Sequence, residues 1–296
     1  MTQPQPEITR ESLGPIPFRA APDTPRMEWP GGARLAFWII PNIEWFPLDQ
    51  PIPRGAGNAP DVPAWSTREY GNRVGIWRMM EVFDRAQARA TVALNAAVCD
   101  VYPSIIRAGV DRGWEWMGHG FTNSQSLAGL PEAEERALIG GAFDRIAAAT
   151  GARPKGWLGP GLHETPRTPE LLVEAGAAYV ADWVADDRPF WVNAGTKRLV
   201  GMPYSLEVND IGAYLRMNLS PEQYCQHICR TFDVLYREGE RNPAVMALPL
   251  HPYLSGFPAR AAALEDALQY IKGHAGVWWA TGGEIADAFA RQSTVP

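Results

Sequence analysis

The sequence predicts an α/β fold, a single-domain distorted (β/α) barrel, on three observations. Short apolar runs alternate with amphipathic stretches about seven or eight times, the pattern of parallel strands with covering helices. The 296 residues show no internal shift of composition that would mark a domain boundary, and α/β barrels reach this length as one domain. Helix starts are marked by Ser220-Pro221-Glu222-Gln223 and Thr281-Gly282-Gly283-Glu284, both capping boxes. Two doubly wound domains are the alternative architecture.

In chain order, Arg34–Ile40 (RLAFWII) reads as a buried strand, and Trp45–Arg68 as a long Pro/Gly-rich insertion after it. Val74, Trp77, Met80 and Phe83 are spaced by three, which predicts a helix over 72–89. Ala90–Asn95 is a strand, Tyr102–Arg112 helical, Trp114–Gly118 a strand and Glu132–Thr150 a helix. Lys155–Leu158, Ala178–Asp182, Arg198–Pro203, Ala244–Leu250 and Val277–Ala280 complete the strands, and Thr168-Pro169 opens a short helix through Leu172. The expected organisation is an extension over 1–28 and a barrel over 29–292.

Composition narrows the function classes. Hydrophobic residues make up 46% and charged residues 20%, which excludes wholesale disorder. A net charge of −6 lacks the basic footprint of a nucleic-acid binder. Three cysteines cannot build a disulfide framework. No apolar run approaches the ~20 residues that span a bilayer, and the N-terminal stretch is polar and Pro-rich without an apolar signal core. A cytoplasmic protein with no membrane partner is expected. Twelve Trp beside 27 Pro and 28 Gly suggest long, ordered, aromatic-lined loops.

In parallel α/β folds reactive groups collect after the strands. Glu44 follows the first strand and is either a group at the barrel mouth or an exposed carboxylate. His119 lies between two glycines at a strand exit, functional or a buried His bonded to a carbonyl. Gly159-Pro160-Gly161 could offer backbone N–H groups to an oxyanion or be plain turn chemistry; His163 and Glu164 beyond it read as rim residues. Asp182, Asp186 and Asp187 crowd another strand end, for acid–base work or as a solvated loop. Tyr204, Glu207 and Asn209 put several polar groups in one loop. His251, restrained by Pro252, suits a fixed acid or base. Cys225 and Cys229 are i,i+4 on one helix with His227 on another face, and read as structural.

Taken in order, Trp29-Pro-Gly-Gly-Ala-Arg34, Glu69-Tyr-Gly-Asn-Arg73, Gly118-His-Gly120, Trp157-Leu-Gly-Pro-Gly161, Asp186-Asp-Arg-Pro-Phe190, Pro203-Tyr-Ser-Leu-Glu207 with Asn209-Asp210, and Leu250-His-Pro252 resemble the polysaccharide deacetylase (NodB homology) superfamily, and more closely its allantoinase-like, imidase-like branch. The resemblance implies a distorted barrel, hydrolysis of a non-peptide C–N bond, and often a homo-oligomer. It also implies an Asp pair and a second His for a metal, where this chain has Asn42, Glu44 and Asn123. Asn42 cannot act as a base, and Glu44, His119 and Asn123 make a poor divalent site, so no required cofactor is the favoured expectation, with zinc or a similar ion the alternative.

The expected function is a hydrolase opening a small cyclic amide, imide or ureide. Glu44 and His119 would activate or position water, His251 would act as general acid or its partner, and Asp182 and Asp186 would orient His251 or bind substrate N–H groups. Asn123, Gly159, Pro160, Gly161, Tyr204, Glu207 and Asn209 would contact the substrate between walls of Trp45, Trp157 and Trp183. The alternatives are a metal-dependent N-deacetylase of N-acetyl sugars and a non-catalytic relative that binds a small ligand.

Overall fold

The computed structural model describes residues 13–53 and 55–293, so the first twelve residues of the expected extension lie outside it. Nine strands are seen in these residues: β1 (Leu35–Ile43), β2 (Thr91–Leu94), β3 (Glu115–Gly118), β4 (Gly156–Trp157), β5 (Tyr179–Val180), β6 (Phe190–Ala194), β7 (Lys197–Gly201), β8 (Ala244–Leu250) and β9 (Val277–Trp279). They form one curled sheet in the order β6-β7-β5-β4-β3-β2-β1-β8, with β9 paired to β1, and every pairing is parallel except the β6–β7 hairpin. The single-domain distorted (β/α) barrel is therefore what forms. Its open seam, between β6 and β8, is crossed where the Val245 N–H donates to the Asp187 carbonyl at 2.8 Å.

Side-chain alternation along the strands fills the barrel. Ala36, Trp38 and Ile40 of β1 join Met117, Tyr179, Met202 and Ala247 in an interior cluster, where Trp38 and Tyr179 meet edge to face. Leu35, Phe37, Ile39 and Ile43 point the other way, toward Phe83, Phe143, Phe232 and Leu264 on the helices. One end of the barrel is plugged by the helix Gly282–Gln292, whose Ile285, Ala286 and Phe289 complete the interior cluster. Its first turn is held by the Thr281 capping box and by the Gly283 N–H on the Glu115 carboxylate at 2.8 Å. The carboxyl ends of the strands open into the cavity described below.

Four expectations shift. The first strand runs three residues further, through Pro41 to Ile43, and so delivers Asn42 and Glu44 to the mouth. The insertion is helical from Val62 to Tyr70, because Asp61 caps the Ala64 N–H and Pro63 falls in the first turn, where proline costs nothing. The helix expected over 72–89 is the continuation of this one, through a π-turn (Gly71–Gly75) into Ile76–Ala86. Phe190–Ala194, not expected as a strand, forms β6 by pairing with β7. No helix among the described residues is long and apolar enough to cross a membrane.

Candidate active site

The alternation that builds the interior also loads the mouth. One step beyond Ile40 on the inward parity comes Asn42, then Glu44; beyond Met117 comes His119; beyond Ala247 and Pro249 comes His251. All four are at least nine-tenths buried. They floor a cavity of about 490 Å³, within the range of small-molecule sites.

Backbone and carboxylate partners fix both imidazoles. His119 Nδ1 lies 2.6 Å from the Leu158 carbonyl, which can only accept, so Nδ1 carries the proton and Nε2 turns toward Glu44 Oε1 at 3.4 Å. His251 Nδ1 lies 2.6 Å from Asp210 Oδ1, and its Nε2 is 3.8 Å from the same Glu44 oxygen. Asp210 is fully buried and is held by the His251 N–H (2.7 Å) and the Ser255 hydroxyl (2.6 Å) on its other oxygen. The Asn123 amide donates to Glu44 Oε1 at 2.8 Å, while Glu44 Oε2 is buried without a partner. Two imidazole nitrogens and one carboxylate thus converge, with every other polar atom of the histidines committed.

Burial is the largest single influence on Glu44 and pushes its pKa up. When the imidazoles are protonated, the hydrogen bond from His119 and the charges of His251 and His119, with that of Arg68, together outweigh it, so Glu44 ionises below the ordinary carboxylate range. Burial, then the Asp210 charge, raises the Tyr204 phenol, which stays protonated and accepts from the Asn209 amide at 3.1 Å.

Neighbouring elements set this geometry. Asn72 of the π-turn donates to the Glu44 carbonyl at 2.9 Å. A Cβ on Gly75 would come within 2.2 Å of the Pro252 carbonyl, so glycine there lets the helix close on the turn that carries His251. Gly118 is required by packing: a Cβ would meet the rings of Phe143 at 2.6 Å and Trp157 at 2.8 Å.

Not every expected residue reaches the cavity. Asn123, Gly159, Pro160, Gly161, Tyr204 and Asn209 line it. Trp157 instead packs in the helix–sheet core against Phe143, 5.9 Å between centroids, because its parity points outward. Trp45 packs on the same core, and Trp183 donates its indole N–H to both Glu164 oxygens at 3.1 Å. Asp186 pairs with Arg188, and Glu207 is exposed beside His227. Neither Asp182 nor Asp186 orients His251; Asp210 does. Asp182 lies behind the glycine turn, accepting from the Gly159 N–H at 2.7 Å, with the Glu164 carboxyl against it. Burial, then mutual repulsion, raises Glu164, and burial raises Asp182, so one proton is held between them. Glu164 is therefore no rim residue. His163 lines the cavity and meets the Ser126 hydroxyl at 2.9 Å.

The turn's donors are also fewer than expected. The Gly159 N–H serves Asp182, the Leu162 and His163 N–H groups close the turn, and proline has none, which leaves Gly161. Sequence reasoning missed Arg68 altogether. Its guanidinium lies over Phe46 at 4.6 Å and over Tyr253 at 4.9 Å, in the cavity wall. The aromatic spacing gave no cue, since Arg68 sits at the end of a helix read as a loop.

Metal-dependent relatives raise the question of a divalent ion. Among the described residues no three His, Cys, Asp or Glu side chains gather to hold one. At the third position the Asn123 amide points its N–H at the carboxylate oxygen that an ion would need. This donor set does not fit a zinc site.

A family model described as polysaccharide deacetylase matches residues 56–180. Among solved structures, a probable polysaccharide deacetylase from Pseudomonas aeruginosa superposes with a TM-score of 0.84 at 32% identity, covering 93% of this chain and 97% of that one. The Puue allantoinase superposes with a TM-score of 0.83 at 28% identity, over 92% and 96%. A peptidoglycan deacetylase of Helicobacter pylori is 25% identical over 256 residues, 76% of this chain and 86% of its own length. With identity of this order over nearly its whole length, this chain belongs to the polysaccharide deacetylase family, whose members are hydrolases acting on carbon–nitrogen bonds other than peptide bonds.

Proposed function

We propose that this hydrolase opens a small cyclic amide, imide or ureide, with its own side chains activating the water. The supporting observation is a set of buried polar atoms in the cavity wall that lack partners. Glu44 Oε2 and Asn123 Oδ1 can accept, and Arg68 Nε and Ser124 Oγ can donate. Unpaired buried groups are costly, and a ring bearing –CO–NH– offers a donor and an acceptor side by side.

Amide resonance makes the carbonyl a poor electrophile and the nitrogen a poor leaving group. Water held at Glu44 Oε2 and His119 Nε2 loses a proton to the carboxylate as its oxygen bonds to the ring carbonyl carbon. The C=O electron pair moves to oxygen, for which the Gly161 N–H is the backbone donor at this wall. The neutral carboxyl then turns its O–H toward His251 Nε2, which lies beside it, and gives up the proton there; Asp210 stabilises the resulting imidazolium. Collapse breaks the C–N bond, the departing nitrogen takes that proton from His251, and a ring-opened carboxylic acid is released.

The test is incubation with hydantoin, succinimide, allantoin and N-acetylglucosamine oligomers, with and without chelator. Ring opening that persists after chelation is expected. Turnover of the acetylated oligomers alone would refute the cyclic-amide reading, and complete loss under chelator would refute the side-chain-only activation.

A further inference from the structure

The cavity is charged against the grain of the chain. The protein carries a net −6, yet its wall holds two guanidinium groups, Arg68 and Arg216, against a single carboxylate, Glu44. Two further carboxylates lie just behind this wall, Asp210 against His251 and Asp182 against the Gly159 N–H, and each is hydrogen-bonded there rather than to a guanidinium, so the rim itself carries Arg216 alone. Arg68 is rigid: it is stacked on Phe46 and Tyr253 and tied by its Nη1 to the Ala64 carbonyl at 3.0 Å. It stands close enough to Glu44 to add, after the histidines, to the lowering of its pKa. Arg216 ends the π-turn Gly212–Arg216 at the rim, exposed, with no carboxylate partner among the described residues. Other surface arginines, among them Arg107, Arg198 and Arg230, are likewise without an ion pair among the described residues; what sets Arg216 apart is its place in the cavity lining.

We propose that the substrate carries one carboxylate on an arm beside its reacting ring, and that Arg216 reads it, with Arg68 adding to the field. This rests on the cyclic-amide reading above and extends it to charge. One rim guanidinium matches a unit negative charge, and its planar fork pairs with a carboxylate through two parallel N–H donors. A phosphate dianion would leave charge unmet, because the Gly-Pro-Gly turn offers a single spare N–H. Attraction between opposite charges in a partly enclosed mouth also speeds encounter.

The experiment compares hydantoin-5-acetic acid with hydantoin-5-acetamide, which differ by one charge at nearly constant shape. Binding is measured by calorimetry and ring opening by chromatography, on wild type and on Arg216→Glu. Arg216 is exposed and its guanidinium makes no hydrogen bond among the described residues, so the variant should fold; its melting curve checks this. The acid is expected to bind about tenfold more tightly than the amide at low salt, with the preference shrinking in 0.5 M salt and reversing in Arg216→Glu. Equal affinities, including no binding of either, overturn the proposal, as does a preference that survives Arg216→Glu. Preferential binding of the acid without ring opening would sink the cyclic-amide reading while the charge assignment stands. Ring opening of both compounds with no preference would do the reverse.

Discussion

Replacing Asp210 by asparagine should damage the reaction more than any other isosteric change outside Glu44. Asp210 receives three hydrogen bonds, all from donors: His251 Nδ1, the His251 N–H and Ser255 Oγ. An amide offers one oxygen and one nitrogen, so an N–H must face at least one of those donors. The Ser255 hydroxyl can rotate to accept, but the His251 backbone N–H cannot. The amide oxygen is therefore drawn to the backbone, and its nitrogen faces Nδ1, which must give up its proton. His251 then takes the Nε2–H tautomer, with no acceptor lone pair toward Glu44. Wrong-tautomer histidines lose up to about 10⁴ in kcat, and a loss of about 10²–10⁴ is expected here. One buried, charge-assisted bond is lost, about 1.5–3 kcal/mol of stability. Two measurements check this: kcat for the best ring substrate, and ¹⁵N spectroscopy of the His251 ring, which needs no substrate. A kcat within about threefold of wild type, or an unchanged Nδ1–H tautomer, would refute the reasoning.

Three further outcomes follow from the same geometry. Glu44→Gln should lower kcat by about 10²–10⁴. Because burial is overcome and the folded pKa of Glu44 is depressed, the wild type should also be the more stable at pH 7, the difference vanishing as pH falls through the folded pKa, in urea titrations at several pH values. For Glu164 and Asp182 the sign is opposite: burial and repulsion raise the folded pKa values, so their contribution is complete below the ordinary carboxylate pKa and declines as pH rises. The free energy of unfolding should fall from pH 7 to 9 by at most about 1.4 kcal/mol per pH unit per proton, seen as a falling thermal midpoint, and Glu164→Gln should flatten that slope. Gly75→Ala places a Cβ 2.2 Å from the Pro252 carbonyl and should cost about 1–3 kcal/mol by overpacking with a drop in kcat, since the turn beneath His251 must shift; an unaltered kcat would detach the π-turn from the site.

Much of this was legible before any coordinates. Apolar runs at the strand positions reported the barrel because burial on both faces of a parallel sheet leaves a hydrophobic signature, and β8 is bounded at the residues expected. Glu44, His119 and His251 stood out because each follows such a run. What hid was whatever depends on parity or on distant chain. Trp157 is one residue out of phase with Leu158 and so faces the helices. Asp210 reaches His251 across 41 residues, a contact with no local periodicity to betray it. Arg68 was concealed by the prolines before it, which read as loop but fall where a helix tolerates them.

The order of strands has a mechanical consequence. Glu44 and His119 leave strands clasped on both sides, β1 between β8 and β2, β3 between β2 and β4. His251 leaves β8, which is zipped to β1 over seven residues but faces the seam on its other side, where one backbone bond spans the gap. The site is thus mounted asymmetrically, its water-activating half on strands paired along both edges and its proton donor on a strand paired along one, so that any give in the frame falls at β8. A ring of slightly different width can be met by a small displacement of β8 while the geometry of attack is preserved. Such compliance would let one scaffold accept a series of homologous rings without rebuilding its floor.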